Sequence, residues 1–347
     1  MKTIIAILAL FSVTLNGIQA ATPSNAYTFH QKFETAQPGD YIVTLQDGNY
    51  SVLIVKALNK DSLILEDLLI PEDLAPQLSW NEWVEKGAEG HTAWNLFEID
   101  WTNNQLIEAY SVDKEGWLFF DDSQHFLSKL LSLSLKKVSS DERRKIGPAP
   151  SFGDPDQRAL WNPPLVFKGQ KKHKPRFDVW KTKWPSDGTQ LANCSVELYF
   201  DASNPEFPFP YWIEVSNGYY CFKMHIVDSG KNLSSMFKGK IPHRPPTFSG
   251  EPQIEKTSLR IFFKSPGYYK NFRLFAIDVN SEEHAAIPLS AQIKKTEGKE
   301  LFFFELSKGQ LKEIFTEGHR YRWVLVPENI SNICIESEHT YLWSSAR

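Results

Sequence analysis

Alternation of apolar and polar positions with a period of two runs through most of the chain and predicts strands. Tyr41, Val43 and Leu45 alternate with Ile42, Thr44 and Gln46, and Asp47-Gly48 follows as a hairpin-type turn. Residues 50–58 and 62–69 read as two further strands joined by polar Asn59-Lys60-Asp61. A short helix comes next. Ser79 and Glu82 form a capping box, Glu82 and Lys86 pair at i,i+4, and Gly87 ends the turn. Residues 94–101 and 105–112 make a second hairpin across Thr102-Asn103-Asn104. A second helix is predicted from Ser123, burying Phe126, Leu127, Leu130 and Leu131. Asp121-Asp122 would favour the positive end of its dipole.

The same alternation continues downstream. Strand candidates cover residues 177–183, 194–200, 211–215 and 219–227, then 259–264, 272–279, 301–306 and 321–326. Two stretches resist regular structure. Residues 147–155 are rich in Gly and Pro, and Ile241-Pro242-His243-Arg244-Pro245-Pro246 is a stiff extended connector. The expected architecture is therefore β-rich and multi-domain. An α+β domain at 27–147 and a linker at 148–160 precede two β-sandwich-like domains of Ig/fibronectin type, at 161–240 and 247–330, with a tail at 331–347.

The start of the chain is different in kind. Lys2 precedes an apolar run over residues 4–15, Asn16-Gly17 breaks it, and Ile18-Gln19-Ala20 precedes Ala21. That tripartite pattern is expected of a secretory signal peptide cleaved after Ala20. The run is too short to span a bilayer, and no later run is long enough, so stable membrane insertion after cleavage is not expected.

Composition narrows the function classes. The net charge of −4 and the absence of basic runs interleaved with aromatics argue against a nucleic-acid partner. Aromatics make up 14% of the chain, with 11 Trp, enough for sugar-binding platforms as well as sandwich cores. Trp94 and the Pro-aromatic stretch containing Phe209, Tyr211 and Trp212 are the binding candidates. Of three cysteines, Cys194 and Cys221 lie in strands expected to be neighbours, where an oxidising compartment would permit a disulfide. Cys334 is left over. Asn-x-Ser sequons occur at Asn49, Asn193, Asn232 and Asn329, which matter only in a eukaryotic host; the reading favours a bacterial one.

Candidate chemistry is sparse. No nucleophile elbow, paired-histidine metal motif or calcium loop occurs, and no cofactor or metal is expected. Two Ser-x-x-Lys tetrads, Ser111 to Lys114 and Ser235 to Lys238, lack the companion motifs of penicillin-recognising enzymes. Glu336, Glu338 and His339 offer too few oxygen ligands for a hard cation. Glu98 and Asp100 share one strand face, and a glycosidase needs only two carboxylates. Their alternation with Phe97, Ile99 and Trp101 equally describes a strand with one wet side. His91, beside Gly90 and Trp94, is the remaining polar spot. The favoured function is non-enzymatic binding of a protein or glycan in the periplasm or cell exterior. The alternative is an extracytoplasmic hydrolase of glycosidase or esterase type, built around His91, Glu98 and Asp100.

Overall fold

The computed structural model describes residues 27–118, 126–219, 221–269, 271–296, 301–328 and 333–344. The leader at 1–20, the helix start at Asp121-Asp122-Ser123 and the sequon at Asn329 lie outside the described residues. The chain divides into two units, Met1–Ile241 and Pro242–Arg347.

The first unit begins with helix α1 (Phe29–Phe33), where Thr28 and Gln31 cap each other's backbone N–H groups. Three long strands follow: β1 (Tyr41–Gln46), β2 (Asn49–Leu58) and β3 (Ser62–Pro71). Helix α2 (Trp80–Glu85) carries the Ser79–Glu82 capping box expected from the sequence. Next come β4 (Ala93–Asp100), β5 (Gln105–Ser111), β6 (Gly116–Trp117), helix α3 (Phe126–Leu131) and β7 (Lys136–Lys137). A small hairpin, β8 (Val166–Phe167) and β9 (Gln170–Lys171), leads to β10 (Phe177–Lys183) and β11 (Ser195–Asp201). The unit closes with β12 (Trp212–Ser216) and β13 (Cys221–Gly230).

All of these except the small hairpin join one antiparallel sheet of eleven strands, ordered β6-β5-β4-β3-β2-β1-β13-β12-β11-β10-β7. The decisive seam is β1 against β13, where Tyr41 faces Gly230 and Ile42 faces Ser229. The seam needs glycine on both sides. A Cβ on Gly230 would collide with the Tyr41 ring, and one on Gly39 (φ +91°) would lie 2.9 Å from Asn232 Cα. The seam overturns the expected boundary at 147–155, because residues 161–240 continue the sheet begun at Tyr41. Residues 148–160 are an exposed loop between β7 and β8, not a linker between domains, and 161–240 is not a separate sandwich.

Both faces of this sheet are covered. On one, Ile42, Leu65, Phe97 and Ile99 share a single core with Val179, Leu198, Ile213 and Ile226, plugged by Phe29 and Phe33 of α1 and Leu127, Leu130 and Leu131 of α3. The two halves of the sheet therefore curl about a common interior. On the other face Tyr41, Val43, Val52, Ile54, Leu68 and Ile70 pack against Trp83 and Val84 of α2 and against Leu233. Burial on both sides explains why residues 50–58 and 62–69 read as near-continuous apolar runs.

The expected Cys194–Cys221 disulfide does not form; both are free thiols, as is Cys334. Ser195 pairs with Ser216 and Ser216 pairs with Cys221, so β12 lies between the two cysteines. Two strand spacings come to about 9.6 Å, beyond the Cα separation that a disulfide spans. Cys194 is buried and Cys221 exposed.

The second unit contains β14 (Thr247–Phe248), β15 (Gln253–Ile254), β16 (Ser258–Lys264), β17 (Phe272–Asp278) and β18 (Ala286–Leu289). It continues with β19 (Gln292–Lys295), β20 (Leu301–Ser307), helix α4 (Lys308–Ile314) and β21 (Arg320–Pro327). Strands β22 (Ile335–Glu336) and β23 (Tyr341–Leu342) complete it. One sheet runs β14-β16-β20-β19 and the other β18-β17-β21-β22. Leu259, Ile261, Phe304 and Leu306 of the first meet Leu274, Ala276, Trp323 and Leu325 of the second in one core. Residues 331–347 were expected to be a tail. Instead β22 and β23 pair with β21, and Trp343 is buried in that core.

Candidate functional site

The residues singled out for hydrolysis are not brought together. Asp100 ends β4 and is a turn cap: its Oδ1 accepts the backbone N–H groups of Thr102 (2.8 Å) and Asn103 (3.1 Å). His91 lies before the other end of β4, and seven strand steps from Ala93 to Asp100 cover about 23 Å. His91 instead finds Asp113, with Nε2 2.9 Å from Oδ1, while Nδ1 sits 2.8 Å from the Ala88 carbonyl. The strand side carrying Glu98 and Asp100 is not wet either, since each is only 8% exposed. Register places Glu98 between Ile64 and Glu108, on the same side of the sheet as Glu66 and Trp94.

The surface-binding candidates separate in the same way. Phe209 and Tyr211 are core residues, held by ring contacts with Phe33, Phe207 and Phe177. Trp212 is half-buried against Trp161, and Trp94 donates its indole N–H to Glu66 Oε1 at 2.8 Å. Neither Phe209 nor Tyr211 can form an exposed platform. Asn193 and Asn232 are exposed with φ of +63° and +66°, a backbone region that asparagine tolerates better than most residues. Glu336 is engaged by Arg322, and the described residues contain no group of three His, Cys, Asp or Glu side chains placed to hold a metal.

Ser235, dismissed as half of a chance tetrad, takes part in a tether. Lys56 Nζ donates to Ser235 Oγ (2.8 Å) and to the Phe237 carbonyl, and the Ser235 hydroxyl is itself 3.2 Å from that carbonyl. Lys238, its tetrad partner, reaches the Ser235 carbonyl rather than the hydroxyl. Burial lowers the Lys56 ammonium pKa, and the neighbouring Glu66 carboxylate opposes this only in part. Glu66, fully buried, is pushed above the usual carboxylate range by burial, against the pull of Ser235, Lys56 and Trp94. The donors and acceptors fit an ammonium that ties the 233–238 segment to the sheet.

The opposite face of β3 holds the feature that the sequence pattern hides. Thr44 pairs with Ser51, Leu53 with Asp67, Asp67 with Asn95, and Asn95 with Ser111. Thr44, Ser51, Asp67, Asn95 and Ser111 thus form a polar diagonal across five strands, and all are buried. Ser51 Oγ donates to Asp67 Oδ1 at 2.5 Å. Thr44 Oγ1 is buried with no hydrogen-bond partner among the described residues. Burial pushes the Asp67 carboxyl up to about 6, with only the Ser51 hydroxyl opposing.

Thr44, Ser51 and Asp67 line one part of an interior cavity of about 50 Å³, several times the ~10–15 Å³ that one water needs. The rest of its wall is apolar. Phe29, Phe97, Phe126 and Phe209 contribute rings, and Ile42, Leu53, Leu65, Leu127, Leu130, Ile213 and Met224 contribute aliphatic surface. Phe209 therefore contributes to a wall inside the unit rather than to a platform outside it. The signal that could have exposed this site is Asp67 alone among Leu63, Leu65 and Leu69 on its side of β3, with Ser51 beside Leu53 and Val55 on β2. The second unit has a larger open depression of about 700 Å³, bordered by Glu255, Gln292 and Glu305. Its carboxylates are already taken up by Arg260 and Lys294.

A family model described as "CT021 protein" matches residues 51–173. That span runs through the Gly/Pro-rich stretch once expected to separate domains. Among solved structures, the 2.0 Å structure of the hypothetical protein CT021 from Chlamydia trachomatis is similar at 19% identity, with a TM-score of 0.45. The match covers 62% of this chain and 98% of that one. No curated protein matches the chain.

Proposed function

We propose that this chain is an exported, non-enzymatic binding protein of the bacterial periplasm or cell exterior, whose first unit takes a small, largely apolar ligand inside its curled sheet. The single observation that carries this reading is the cavity walled by four phenylalanines and seven aliphatic side chains, with Thr44 at its edge lacking a hydrogen-bond partner among the described residues. Binding sites are typically concave and mostly apolar, with a few placed polar groups that fix orientation. The leader pattern at residues 1–20 supports export, and the mature amino terminus would then be Ala21.

The second unit reads as an immunoglobulin-type module. Supporting this, its first sheet takes chain-order strands one, two, six and five, and its second takes four, three, seven and eight when the short β14 and β15 count as one. That is the ABED and C′CFG arrangement of such sandwiches. A module of this kind suits attachment or partner contact outside the cytoplasm, although the fold alone licenses no function.

The test is thermal unfolding of the mature chain with graded xenon, ethane and dichloromethane, probes matched to a cavity of about 50 Å³. A ligand that binds the folded state raises Tm in proportion to the logarithm of its concentration. Leu65→Trp, which fills the cavity, should abolish the rise. Absence of any shift across the panel would reject the reading.

A further inference from the structure

We infer that the cavity is specific for an ammonium group carried on a small apolar body, such as methyl- or ethylamine, with Asp67 as its counter-ion. The inference rests on the ligand-binding reading of the same cavity and adds the chemical class of the ligand.

Three observations lead to it. Among the described residues of the wall Asp67 is the only ionisable side chain, and it is 3% exposed. Its Oδ1 is occupied by Ser51, and no basic side chain among the described residues acts on it. Thr44, 2% exposed, brings to the same wall a hydroxyl with no partner among the described residues.

An ionised carboxylate only accepts hydrogen bonds, and its burial without a cation is costly. An ammonium offers three donors, enough for the second oxygen of Asp67 and for Thr44 together. Four phenylalanine rings line the cavity, and a ring's face carries negative potential that favours the same charge. A carboxylate ligand would meet Asp67 as a like charge and is rejected. A neutral alcohol satisfies the geometry but leaves the buried charge uncompensated.

The experiment is calorimetric titration of the mature chain at pH 8 with dichloromethane, ethanol, ethylamine and acetate. Ethylamine should bind about tenfold or more tighter than dichloromethane, the ratio expected of a charge-assisted hydrogen bond. Asp67→Asn should remove that advantage. Thr44→Val, which keeps shape and drops the hydroxyl, should weaken ethylamine by about threefold or more. Its milder chemistry serves as the second variant if Asp67→Asn fails to fold. Dichloromethane binding as tightly as ethylamine overturns the inference but leaves the ligand-binding reading standing. So does acetate or ethanol binding tightest. Binding of none of the four overturns both.

Discussion

Glu66 and Asp67 are consecutive in β3, yet each is sealed into an opposite face of the same sheet. Glu66 looks to the Trp94 indole and Lys56, on the side covered by α2 and the 233–238 segment. Asp67 looks to Ser51 and the interior cavity. One has a cation in its surroundings and the other has none among the described residues, so the two carboxyls should behave differently when perturbed.

Asp67 should make stability depend on pH. Its folded pKa of about 6 lies above the unfolded value near 3.9. The folded state then holds the proton more tightly, so its contribution is fully present below pH 4 and is lost as pH rises through 6. The difference corresponds to about 3 kcal/mol. Asp67→Asn should match the wild type near pH 4 and exceed it at pH 7. Urea unfolding of both proteins across pH 4 to 8 measures the gap, and parallel curves would contradict it.

Lys56 should matter through Glu66 and through the tethered segment. Lys56→Met keeps the stem but leaves Glu66 with only the weaker pull of Lys238 and the Phe237 carbonyl without its Lys56 donor. A loss of about 2 kcal/mol is expected. Adding Glu66→Gln should recover part of that loss, because no uncompensated charge then remains. A double-mutant cycle by chemical denaturation reads the coupling.

The thiols should report the strand order directly. Cys221 is exposed and should be alkylated within minutes in native buffer, whereas buried Cys194 should react only on unfolding. Burial also raises the Cys194 thiol pKa, which slows it further. Peptide mapping after iodoacetamide treatment distinguishes them. A reductant should leave Tm unchanged, since no Cys194–Cys221 bridge exists to be broken.

The β1–β13 seam should make the first unit indivisible. A chain of residues 27–241 should unfold in one cooperative transition. Residues 27–147 alone would leave β1 as a bare edge and expose the inner core, so they should aggregate or lack cooperative unfolding. Tryptophan fluorescence in urea, with size-exclusion chromatography, separates the outcomes.

Local features were legible from the chain itself. The alternation at residues 41–46 and 94–101, the Asp47-Gly48 turn and the Ser79–Glu82 capping box all stand where the sequence placed them. These depend on neighbours within a few residues, and their physics is local. His91 with Glu98 and Asp100 failed as a site because proximity in sequence along an extended strand means distance in space.

What the tertiary structure alone decided is which strand closes the sheet and what each buried face meets. Every backbone presents the same N–H and C=O groups, so nothing in residues 41–46 specifies β13 as their partner. The pattern likewise marks Thr44, Ser51 and Asp67 as polar without saying that curling of the sheet encloses them. Their chemistry was in the sequence from the start. Only burial on a shared face turned three ordinary polar residues into the edge of a cavity, because removing water is what makes an unpartnered hydroxyl and an unpaired carboxyl costly.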